Sequence, residues 1–156
     1  MNITDSTYIE KDTVIANETY FKLVNIPSNH PSQPEITFQR VVENRIEDYG
    51  SMILFTTNSS PQPTFSTLIL GNNDTIGHFY HIMDLTQNNT TVPAGTFVTN
   101  DMQYQFHFVP GYDNLGSLRI LHHRYAENIG LVLETRPFFS EDDFYIEKQL
   151  LRFHIN

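Results

Sequence analysis

The sequence predicts an all-β fold, mainly antiparallel: a two-layer β-sandwich, jelly-roll-like, of about eight to ten strands with at most one short helix near residues 140–150. Three observations predict it. Short apolar-aromatic runs recur along the whole chain, and Asn, Gly, Pro and Asp separate them. Several of the runs alternate polar and apolar residues with period two, as half-buried strands require. Aromatic residues make up 13% of the chain, twelve Phe and eight Tyr among 156 residues, which supplies the apolar area that offsets chain entropy.

The runs fall at 20–26, 36–42, 51–57, 65–70, 76–83, 103–109, 118–125 and 129–135. The strongest is Gln103-Tyr104-Gln105-Phe106-His107-Phe108, where three aromatics take one face of a strand and three polar residues the other. Between runs, the segments 25–31, 58–61, 71–74, 87–90 and 110–114 carry Gly, Asn and Pro, residues that accept positive φ or cannot donate to a ladder. Runs 118–125 and 129–135 are expected to form a hairpin across Ala126-Glu127-Asn128. Near the C-terminus Ser140 is placed to cap a helical turn bearing Glu141, Asp142 and Asp143, with the acids at the positive end of the dipole. Leu151, Phe153 and Ile155 then alternate with Arg152 and His154 as a final strand. Residues 1–13 show no period and are read as an extended N-terminal arm. Residues 14–156 are read as a single β-sandwich domain.

Composition excludes several roles. Nine basic against eighteen acidic residues give a net charge of −9, and the lone arginines form no cationic stripe, so nucleic acid and anionic membrane are not expected partners. With no cysteine, thiol nucleophiles, disulfides and Cys-bound metals are impossible. Met1-Asn2-Ile3-Thr4-Asp5-Ser6 lacks the basic and apolar regions of a signal peptide, and no apolar run reaches the ~18 residues of a spanning helix. A soluble product, assembled in a host cytoplasm, is expected.

Seven histidines raise the question of a metal. His78, His81, His107, His122 and His123 fall on or near strands, but His78 and His81 are three apart and His122 and His123 adjacent. Ligands on one strand share a face at i and i+2, so each pair points to opposite faces. Val92-Pro93-Ala94-Gly95-Thr96 resembles the Pro-x-Gly turn of the cupins, whose metal histidines follow that turn and precede it as His-x-His. Here Val98 stands where a ligand would fall and Phe79-Tyr80 interrupts the first motif, so the resemblance implies no ligand set and no activity.

No Gly-x-Ser-x-Gly elbow is present, and Gly71 and Gly77 bracket a loop lacking the lysine of a phosphate-binding turn. The contiguous acids Glu141-Asp142-Asp143 lack the alternating oxygens of a calcium loop. Six sequons, at Asn2, Asn17, Asn58, Asn73, Asn88 and Asn89, would suit a secreted glycoprotein with a signal peptide. Fourteen Asn and twenty-five Ser and Thr give a couple by chance, and turn-rich β-proteins concentrate these residues in loops, so glycosylation is not expected. Tyr112, between Gly111 and Asp113, and Phe138-Phe139 are the candidate contact aromatics, with core packing the alternative for the Phe pair.

No catalytic, cofactor-binding or metal-ligating residue is therefore nominated, no cofactor is expected, and the chain is not expected to be an enzyme. An acidic, cysteine-free β-protein rich in Asn and Thr, with a terminal arm, fits the style of virion proteins of phage tails and capsid surfaces. The expected partners are other protein subunits, in a homo- or hetero-oligomer. The alternatives are a carbohydrate-binding module using Tyr112 and a small metal-dependent jelly-roll enzyme using some of His78, His81, His107 and His122.

Overall fold

A computed structural model describes residues 4–58, 63–72, 74–112, 118–137 and 145–154. The described chain is all-β. Among the described residues, eleven strands form two antiparallel sheets, one of five strands and one of six, consistent with the expected β-sandwich. The chain divides into two compact units after Asn58.

The first unit holds β1 (Asp5–Ile15), β2 (Glu18–Pro27), β3 (Glu35–Val42), β4 (Arg45–Asp48) and β5 (Ile53–Thr56), in that spatial order. Most of the segment read as an arm, residues 5–13, is in β1 and pairs with β2 over the whole strand. Its period is hidden because Glu10 has no partner opposite it: the register shifts between Ile9 and Lys11, and the alternation changes phase there. Ala16 and Asn17 close this hairpin at φ 50° and 67°, the two positive values of a type I′ turn.

Tyr20 and Val24 are the buried apolar residues of this sheet. The Tyr20 ring meets Tyr49 edge-on at 5.9 Å, and the Arg40 guanidinium lies 5.3 Å from the Tyr20 centroid. Arg40 donates to Glu47 at 3.1 and 3.3 Å, and Arg45 donates to the other Glu47 oxygen at 2.5 Å. Glu47 is only 3% exposed, so β4 buries a carboxylate by giving it two guanidinium partners.

The second unit holds β6 (Phe65–Gly71), β7 (Asp74–Val92), β8 (Gly95–Phe108), β9 (Leu118–Ala126), β10 (Gly130–Pro137) and β11 (Tyr145–Gln149). Spatial order follows chain order here too, so each sheet is a meander without the crossovers of a jelly roll. The β9–β10 hairpin forms as expected, with Ala126 opposite Gly130 and Asn128 at φ 59°. The segment 87–90, read as a turn, instead continues β7. Between Asp84 and Asn88 β7 carries two residues more than β8, and the extra chain is held by Thr86 N–H donating to Asp84 and the Asn88 amide donating to the Thr86 carbonyl. Turn-forming residues thus make a bulge inside a long strand. The reversal comes at Pro93-Ala94, with Gly95 at φ 141°.

The last strand is residues 145–149 rather than 151–155: Leu151–His154 are not in a strand, and β11 pairs with β10 instead. The helical turn expected from Ser140 through Asp143, and Phe138-Phe139, lie outside the described residues. No described helix is long and apolar enough to cross a membrane.

Candidate functional site

Strand register sorts the six-stranded sheet into two faces. On one, Phe79 and His81 of β7 lie opposite Phe106 and Tyr104 of β8, Phe65 of β6 lies opposite His81, and His123 of β9 lies opposite Met102. The rings make a continuous row. His81 stacks on Tyr104 at 4.0 Å and 7°, meets Phe79 edge-on at 4.8 Å and lies 5.4 Å from Phe65. His123 meets the other side of Tyr104 at 4.1 Å, and its Nε2 is 3.7 Å from Glu134 on β10. Cross-strand register from β6 through β9 brings these rings together on one face.

His81 is 2% exposed, and its Nδ1 has no hydrogen-bond partner among the described residues. Burial, with a smaller contribution from the charge that His123 can carry, lowers its pKa to about 4. Burial also holds His123 below its ordinary value, a pull that the Glu134 carboxylate partly opposes. Tyr125 of β9 is raised, mainly because burial disfavours its phenolate.

On the opposite face the polar residues of β8 form a ladder. His107 Nε2 bonds Gln105 at 3.1 Å, the Gln105 amide donates to Gln103 at 2.8 Å, and the Gln103 amide donates to Asp84 at 3.3 Å. His78 lies opposite His107 in register, stacks with Tyr80 at 6.2 Å, and lines an open depression with Ser66, Thr67 and Leu68. Farther along, His122 Nδ1 is 2.5 Å from Asp101 Oδ2. Thr135 Oγ1 accepts the His122 backbone N–H at 2.6 Å, and so packs beside this pair without bonding its ring.

The five strand histidines are thus divided: His81 and His123 on the aromatic face, His78, His107 and His122 on the polar one. Sequence spacing separates the members of each pair as it does here. It does not reveal that His78 faces His107 or that His81 and His123 flank one tyrosine, because those neighbours are set by cross-strand register. Among the described residues no group of three or more His, Asp or Glu is arranged to hold a metal ion. The His122–Asp101 pair orients an imidazole as a general base requires, but no described hydroxyl bonds its Nε2 as a nucleophile would. Tyr112 is 45% exposed beside Gly111 at φ 95°.

Asn17 sits at the β1–β2 turn, Asn58 follows β5, and Asn88 and Asn89 lie in β7, whereas Asn2 and Asn73 are outside the described residues. Large apolar side chains are exposed on two outermost strands: Tyr8, Ile9 and Val14 on β1, and Phe65, Leu68 and Leu70 on β6. Compared with protein-family models, with curated proteins and with solved structures, the chain gives no match.

Proposed function

We propose that this protein is a non-enzymatic structural or accessory component of a large assembly, of the kind found in phage tails and on capsid surfaces, and that it acts by contacts between its sheets and neighbouring protein subunits. The observation that carries the reading is the exposure of apolar side chains on outermost strands, with Val14 70% and Leu70 63% exposed. Outermost strands offer unpaired backbone groups, and apolar side chains beside them favour strand addition by another chain. The virion setting rests on composition: no cysteine, net charge −9, and loops rich in Asn and Thr. Sedimentation velocity over a concentration series tests it. Oligomers that grow with concentration are expected, and a monomer throughout the series contradicts the reading.

A second reading has one observation in its favour, the half-exposed Tyr112 ring in the loop after β8. Aromatic rings on loops serve as stacking platforms for sugars. Glycan-array binding abolished by Tyr112→Ala would select this reading over the first.

A further inference from the structure

Edge strands differ in how well they are guarded against a second chain. Natural edges are blunted by charge, lysine above all, by proline, by bulges or by shortness. In the first sheet, β1 carries Asp5, Glu10, Lys11 and Asp12 and is bulged at Glu10, and β5 has only four residues. In the second, β11 carries Glu147 and Lys148. Strand β6 has none of these guards. Its seven residues, Phe65-Ser66-Thr67-Leu68-Ile69-Leu70-Gly71, contain no charge and no proline. The register shift beside Ile69 and Leu70 arises because β7 contributes the extra residue Ile76, so β6 itself runs unbulged from end to end. Phe65, Leu68 and Leu70 are 42%, 52% and 63% exposed.

We propose that β6 is the edge at which a second copy of this chain adds, antiparallel and related by a twofold axis through Leu68, joining two six-stranded sheets into one. The inference rests on the assembly reading above and names its contact. Charge selects a second copy: in a twofold contact each residue meets its own kind, so a chain of net charge −9 self-associates best where the paired strand carries no charge. Register follows from length. Centring on Leu68 pairs all seven residues, with Phe65 opposite Gly71, Ser66 opposite Leu70, Thr67 opposite Ile69 and Leu68 opposite its copy. A ring covers a glycine at each end, β-branched residues pair between, and Leu68 and Leu70 of both chains form one apolar stripe.

The absence of cysteine makes the register directly testable. Directly opposed residues of an antiparallel pair lie ~4.5–5.5 Å apart at Cα, within disulfide range, whereas a two-residue offset exceeds it. Leu68→Cys should therefore form an interchain disulfide under mild oxidation. A mixture of Thr67→Cys and Ile69→Cys chains should also cross-link, and Thr67→Cys alone should not. Leu68→Lys places two ammonium groups opposite each other and should raise the midpoint concentration of self-association roughly tenfold or more. Val41→Lys, at an exposed position of the other sheet, should leave it unchanged. Circular dichroism of each variant checks that the sheet is retained.

Self-association that is unchanged in Leu68→Lys, or Leu68→Cys chains that cross-link no faster than Val41→Cys chains, would overturn the β6 contact and leave the assembly reading standing. A wild-type chain that stays monomeric overturns both.

Discussion

Lowering the pH should destabilise the six-stranded unit through His81, and the size of the loss can be worked out. In the unfolded chain the imidazole titrates near its ordinary 6.5, while in the sheet burial holds it at about 4. A histidine with a depressed folded pKa favours the folded state in its neutral form, so its contribution is whole above pH 6.5 and is lost as pH falls toward 4. The linkage gives a loss of at most about 2 kcal/mol at pH 5 and about 3 kcal/mol at pH 4. Those figures are ceilings, because Phe65, the ring covering His81 on the β6 side, is itself 42% exposed and admits water when it moves.

The groups facing His81 are Phe65, Phe79 and Tyr104, with His123 beyond Tyr104 and Glu134 beyond His123. None offers His81 a carboxylate directly. Urea unfolding followed by far-UV circular dichroism at pH 7.5, 6.5, 5.5 and 5 reads the loss above the range where most carboxylates protonate. His81→Gln and His81→Phe should both flatten the pH slope, whatever constant offset each adds. The ring resonance of His81 in a proton NMR titration reports its pKa directly. An ordinary midpoint near 6.5, or a pH slope unchanged in both variants, would refute the reasoning.

Other consequences are testable by the same unfolding assay. Met102 is fully buried between Met83 and His123, its neighbours in register, so Met102→Ala should cost about 2–4 kcal/mol as a cavity-forming truncation. Glu47→Ala leaves the Arg40 and Arg45 guanidiniums without their shared carboxylate and should cost about 2 kcal/mol or more; the loss should shrink if Arg40 is removed as well, and a loss that is simply additive would contradict the pairing. Ala16→Gly should stabilise the first unit by about 0.5–1 kcal/mol, because alanine holds φ 50° in a turn that glycine adopts without strain.

Each of the eight expected runs overlaps a strand, because alternation and punctuation are local signals that survive into the sheet. What the sequence concealed is non-local. Arg45-Ile46-Glu47-Asp48 falls in none of the expected runs, and it is a strand in which Arg40, on the neighbouring strand, joins Arg45 in neutralising Glu47. Gln87-Asn88-Asn89-Thr90 has turn chemistry, which β7 uses for a bulge while its backbone keeps pairing with β8. In β1 the phase change at Glu10 erased the period. The histidine pairs were divided correctly between faces by intrastrand spacing, but the row through His81, Tyr104 and His123 needed the register of three strands. The exposed leucines of β6 were legible as a strand and not as an edge, since edge position depends on what fails to pair.

Amide hydrogen exchange at two protein concentrations tests most directly whether the apolar outer strands are contact surfaces between subunits. The outward-pointing N–H groups of residues 65–71 should exchange quickly in dilute solution and become protected when the chain is concentrated, with those of the central strands β8 and β9 unchanged. Equal exchange of the 65–71 amides at both concentrations, alongside protected β8 and β9, would contradict the account.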